Sequence, residues 1–247
     1  MQLALQLAVG ESLFGIGHPK KTPIRVLVVQ AENDELEIAE ILQSQTADWA
    51  KKCPKNLNLL NQNLHIANLW NKTGGEFVRW LRKITDELSI DLVIVDPLLA
   101  YIDGNVSDNT TITKFLRGDV NEMLKEDVSK RAKQFGILFV HHTAKPTGKN
   151  NSRSVNTQIY DVLGCAELPN WARCIIRLER IEDVEDVPPG LCSLSIPKRG
   201  QRAGLCQAVK AGENTCYIKH ASQEIAGGRP NLKWELWDDV LPSKTKR

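Results

Sequence analysis

Leu92-Val93-Ile94-Val95-Asp96-Pro97 is the stretch that decides the fold. A short, β-branched, uninterrupted apolar run fits a strand covered on both faces of a parallel α/β sheet, and ligands of such sheets bind beyond the carboxyl ends of the strands. Asp96 therefore stands where a ligand would stand. An isolated Asp-Pro also serves simply to end a strand in a turn, but two sister segments argue for more. Ile24-Arg25-Val26-Leu27-Val28-Val29-Gln30 is a second apolar run, and it delivers Glu32 just ahead of the acidic helix start Asn33-Asp34-Glu35. Gly136-Ile137-Leu138-Phe139-Val140 is a third and delivers His141 and His142. Parallel strands joined by crossover helices bring all three ends to one edge of the sheet.

Helical spacing falls between these runs. Apolar residues predict a buried helix over 1–9 closed by Gly10, a helix over 36–46 after the Glu32 strand, and one over 76–88 carrying Phe77, Trp80, Leu81, Ile84 and Leu88 into the Asp96 strand. A fourth, over 113–134, leads into the histidine strand. After Thr143 the character changes. Residues 144–157 hold Lys145, Lys149 and Arg153 with no acid and almost no apolar residue, and read as an exposed loop beside the polar sheet edge. From Cys174 onward come short strands, 174–179, 191–196, 216–218 and 233–237; alternation in the last predicts an antiparallel edge packed on one face. The expected architecture is thus α/β in three layers, with a mostly parallel central sheet and C-terminal antiparallel edge strands, as one core over 1–240 with a basic tail, 241–247.

Composition bounds the partners only loosely. The 247 residues carry 32 Lys plus Arg against 30 Asp plus Glu, so any steering of nucleic acid comes from local clusters rather than the global field. Six cysteines without C-x-x-C spacing and without a secretory signal point to reduced thiols and a cytoplasmic protein. The longest apolar stretches fall far short of the ~18 residues of a spanning helix, so no membrane is expected.

Taken in order, these segments resemble the RecA-like ATPases, and within them the hexameric replicative helicases of the plasmid RepA type and related AAA-family ATPases. Leu3 to Ala8 looks like the helix that follows the phosphate-binding loop, Val26 to Glu32 like the strand bearing the catalytic glutamate, and Leu92 to Pro97 like the Walker B strand. Ile137 to Lys145 is similar to the strand whose histidine senses the nucleotide, and Gly164 to Arg173 resembles the helix and turn that present an arginine finger. The family's G-x-x-x-x-G-K-[ST] loop belongs just before Leu3, where this chain has only Met1 and Gln2. The expectation is a piece of a longer ATPase; a natural variant without hydrolysis is the other possibility.

The resemblance implies ATP and Mg²⁺ as cofactors, single-stranded DNA as partner and a ring homo-oligomer, a hexamer. It implies that Glu32 holds or deprotonates the attacking water and that Asp96 orients Mg²⁺ through a bound water. One histidine, His141 slightly ahead of His142, would report the γ-phosphate. Arg173 would stabilise transition-state charge in the neighbouring subunit, and Lys198 and Arg199 would lie at the subunit interface by the nucleotide. Lys145, Lys149 and Arg153 would track a DNA backbone, with Tyr101 and residues 105–111 lining the same channel. The plainer readings are a strand-ending turn for Asp96, a carboxylate at a helix start for Glu32, a satisfied core histidine or a metal ligand for His141 and His142, a surface arginine for Arg173, and a solvated basic turn or loop for Lys198, Arg199, Lys145, Lys149 and Arg153. The open functional alternative is a catalytically silent RecA-like module used for DNA binding or assembly.

Overall fold

The two faces of the central sheet are set by alternation along its strands. A computed structural model describes residues 1–106, 108–125, 134–142, 166–181, 186–198, 215–221 and 231–238. Strands β1 (Val26–Gln30), β2 (Leu64–Asn68), β3 (Leu92–Asp96) and β4 (Gly136–Phe139) form one parallel sheet in the order β2-β1-β3-β4. Leu27, Val29, Val93 and Val95 point to one face, where Phe77 and Leu81 of α5 (Gly74–Glu87) meet them. Val26, Val28 and Ile94 point to the other, against Ala4, Leu7 and Ala8 of α1 (Gln2–Ala8). The predicted spacing in 76–88 thus becomes the apolar stripe of α5. Each fully buried Leu or Phe in that stripe contributes about 1.5–3 kcal/mol.

Three further helices lie between β1 and β2: α2 (Glu35–Thr46), α3 (Trp49–Lys52) and α4 (Pro54–Asn63). The sequence reading expected α2 but neither α4 nor β2. β2 escaped because Leu-His-Ile-Ala-Asn is short and mixed, and it is half-buried throughout as a sheet edge. α4 carried an available signal in Pro54, which occupies its first turn, where a missing N–H costs nothing.

The helix expected over 113–134 begins earlier. Asp108 caps α6 (Asn109–Thr113), accepting from the Thr110 and Thr111 amides at 3.1 and 3.0 Å; the chain continues as a π-helical stretch, Lys114–Val120, into α7 (Asn121–Lys125). Part of the stretch read as channel lining is therefore a helix start. Tyr101, read with it, is fully buried and stacks on Phe77 with ring centroids 4.3 Å apart, so it lines no channel.

The antiparallel strands form a sheet of their own, where the sequence reading placed them at the edge of the central one. β5 (Ile175–Arg180), β6 (Cys192–Lys198), β7 (Thr215–His220) and β8 (Trp234–Trp237) follow one another in order, after α8 (Glu167–Trp171). One face of this sheet, with Cys192, Leu194, Cys216 and Ile218, closes over Phe14 and Ile16. The sheet is tied back to the parallel layer by polar contacts. The Gln2 side chain donates to the Trp234 carbonyl at 3.0 Å and accepts from its amide at 2.7 Å, and the Leu232 amide donates to Ser44 Oγ at 2.8 Å. Among the described residues no helix is long and apolar enough to cross a membrane.

Candidate functional site

Because all four strands of the central sheet are parallel, their carboxyl ends share one edge. Gln30 pairs in register with Asn68 on one side and Asp96 on the other, so β1, β2 and β3 end level with a row of polar side chains. The Ala31 amide donates to the Asp96 carbonyl at 3.2 Å, and the Val140 amide to the Val95 carbonyl at 2.9 Å. These bonds draw the segments leaving β1 and β4 in beside the end of β3.

On that edge the structure brings together Glu32, Asp96 and His142. His142 Nε2 lies 3.8 Å from Glu32 Oε1, both side chains largely exposed. Asp96 is half-buried, and burial pushes its carboxyl above the usual carboxylate range; the Met1 amino group pulls it back, Glu32 pushes it up and His142 pulls it down. Four ionisable groups, Asp96 among them, thus gather at the mouth of the sheet. The Met1 amino group, lowered by its own burial, also marks where α1 begins, next to Asp96. The arrangement can hold a hydrated cation at Asp96 and set a proton-accepting carboxylate, Glu32, facing water.

The structure places the two histidines differently. Adjacent residues leaving a strand diverge, and it is His142 that reaches Glu32, while His141 is half-buried.

Arg173 is exposed in the turn between α8 and β5. No described contact brings it to Glu32 or Asp96. α8 itself is anchored: Glu167 pairs with Arg117 of the π-helical stretch, and Trp171 Nε1 donates to Asn121 Oδ1 at 3.0 Å. Lys198, expected by the nucleotide, donates to the Pro169 and Asn170 carbonyls at 2.7 and 3.3 Å. Its ammonium satisfies the C-terminal carbonyls of the short helix that precedes Arg173. Arg199, Lys145, Lys149 and Arg153 lie outside the described residues.

Sequence reasoning overlooked the amides. Gln30 is 2% exposed, and its side chain joins Asn33 and Asn68. The signal was a Gln and an Asn each ending a short strand at equal height, which only the register between strands reveals.

A model of the AAA domain matches residues 1–148 of the chain. Among solved structures, one described as an ATPase domain is similar over 78% of this chain and 70% of that one, at 15% sequence identity and a TM-score of 0.47. No curated protein sequence matches.

Proposed function

The chain belongs to the AAA-domain family, and from that premise we propose that it is a RecA-like ATPase core coupling hydrolysis of Mg·ATP to action on single-stranded DNA, as a replicative helicase or a replication or repair ATPase. The observation that carries this reading is the convergence of Glu32, Asp96 and His142 on one edge of the parallel sheet. Two carboxylates in unlike surroundings suit two tasks there: Asp96, half-buried, and Glu32, solvent-facing.

The residues present fit the metal and water side of such a site. Burial disfavours the Asp96 charge, and a cation beside it relieves that cost. The phosphate side is different, because the 247 residues contain no G-x-x-x-x-G-K-[ST]. Mg²⁺, when bound, neutralises phosphate charge. Asp96 holds its hydration shell, Glu32 orients a water and accepts its proton, and His142 holds the Glu32 carboxylate through the 3.8 Å pair. Arg173 acts on the site of the next subunit in a hexameric ring, with Lys198 keeping its turn in place and Arg199 at the same boundary. Lys145, Lys149 and Arg153 follow a DNA backbone without reading sequence.

The second reading, a silent module for assembly or DNA binding, is favoured by the missing glycine-rich motif alone. ATP binding and turnover by the 247-residue chain, and by any version extended upstream, with and without single-stranded DNA, separate the two. Hydrolysis stimulated by DNA and lowered by about 100-fold or more in Glu32→Gln, with nucleotide still bound, supports the motor. Absence of both binding and turnover in every form rejects it.

A further inference from the structure

We propose that Gln30 is the positioning residue that fixes Glu32, an inference that rests on the reading of Glu32 given above and adds a residue to it. Glu32 sits in the middle of a three-residue connection between β1 and the cap of α2. Gln30 Oε1 accepts from the Asn33 amide at 2.8 Å, and Gln30 Nε2 donates to the Asn33 carbonyl at 2.8 Å and to Asn68 Oδ1. Both polar groups of the Asn33 backbone are thus closed onto one side chain. The same connection is pinned at its start by the Ala31 amide on the Asp96 carbonyl, and at its end by the Asp34 amide on Glu37 Oε2 at 2.9 Å.

The chemistry of the clamp admits few residues. The Asn33 N–H needs an acceptor, its C=O needs a donor, and Asn68 Oδ1 needs a second donor. A carboxamide supplies one oxygen acceptor and two N–H donors at a single terminus, and here all three are used. A carboxylate in its place would lose both donors and add a charge near Asp96. An apolar chain of the same length would leave three polar groups unpaired in a site where Gln30 is 2% exposed. Gln30 also joins the ends of three strands: its own carbonyl accepts from Leu69 at 3.0 Å, just past β2, and it lies in register with Asp96. The clamp therefore ties the backbone that carries Glu32 to the ends of β1, β2 and β3, Asp96 among them, rather than merely ordering a loop. Such placement matters because an error of about 1 Å in a reacting group costs on the order of 100-fold in rate.

The test uses the full chain, Gln30→Met, and Asn68→Ala as a milder variant on the half-buried edge strand, where folding is less at risk. Amide hydrogen exchange is read at Asn33 and at Val93 to Val95, beside steady-state ATP turnover. The Asn33 amide is expected to exchange about 10- to 100-fold faster in Gln30→Met and a few-fold faster in Asn68→Ala, with the β3 amides unchanged. In the same variants kcat falls in that order, by about 10- to 100-fold for Gln30→Met, while KM for ATP stays within about twofold, a split that a general loss of structure does not produce. Unchanged exchange at Asn33 in both variants overturns the proposal, as does faster exchange with unaltered kcat. Absence of ATP binding and turnover in every wild-type form, those extended upstream included, removes the functional reading and with it the catalytic purpose of the clamp. The exchange measurement still reports whether the clamp exists, so the two failures are distinct.

Discussion

Asp96 shows how one side chain records the tension between fold and function. It ends a strand whose three central residues are buried, and burial raises its carboxyl above the ordinary range. A group raised in the folded state holds its proton more tightly there than in the unfolded chain. Its contribution therefore favours folding while the group is protonated, below the unfolded carboxyl value of about 4, and is lost as pH rises through the raised folded value. Asp96→Asn is expected to raise the melting temperature at pH 7 and to change it little near pH 4, read by thermal unfolding at both pH values; a variant less stable than wild type at pH 7 would contradict this. Glu32 and His142 were legible from the sequence as residues following apolar runs. Their 3.8 Å approach was not, since nothing local dictates how far past its strand a side chain reaches.

At the scale of elements, the start of α2 is the firmest local construction near the site. Asp34 Oδ1 accepts from the Leu36 and Glu37 amides, each at 2.8 Å, while Glu37 returns a bond to the Asp34 amide, a complete capping box. Asn-Asp-Glu before a helix was readable as such a start, because the signal is entirely local. Asp34→Ala is expected to cost about 1 kcal/mol in urea unfolding and to loosen the Glu32 connection from its far end. The elements that escaped the sequence were those without a strong period. β2 lies at an edge with five half-buried residues; the helix expected over 113–134 was found but its start, at Asn109, was not, and it passes through a π-helical stretch, Lys114–Val120, which shifts its phase. A hydrophobic pattern reports burial on two faces or one stripe; it blurs where an element is only half covered.

For the whole molecule, the question is how the antiparallel sheet is attached. Its strands alternate buried and half-buried residues, as β6 and β7 show, so one face only is covered. The bonds between Gln2 and Trp234 extend the ladder of β8 by one side chain, anchoring the sheet to the helix beside Asp96. Gln2→Ala is expected to lower stability by about 1–2 kcal/mol and to speed amide exchange in β8 and β7 before it affects β1 or β3. Uniform acceleration in both sheets would show that they unfold as one unit instead.

By itself the sequence determined the parallel α/β core and the residues that end its central strands, because period and burial are written along the chain and parallel connection forces the ends to one edge. Its alternation also announced antiparallel strands at the C-terminal side. Only the tertiary structure decided that these form a second sheet, that Tyr101 lies in the core, that His142 reaches to 3.8 Å from Glu32, and that Lys198 closes α8. The same holds for Gln30, whose partners lie three and 38 residues away. Those outcomes rest on register and on contacts between distant segments, and a one-dimensional pattern specifies which faces are apolar without specifying which partner each face or amide meets.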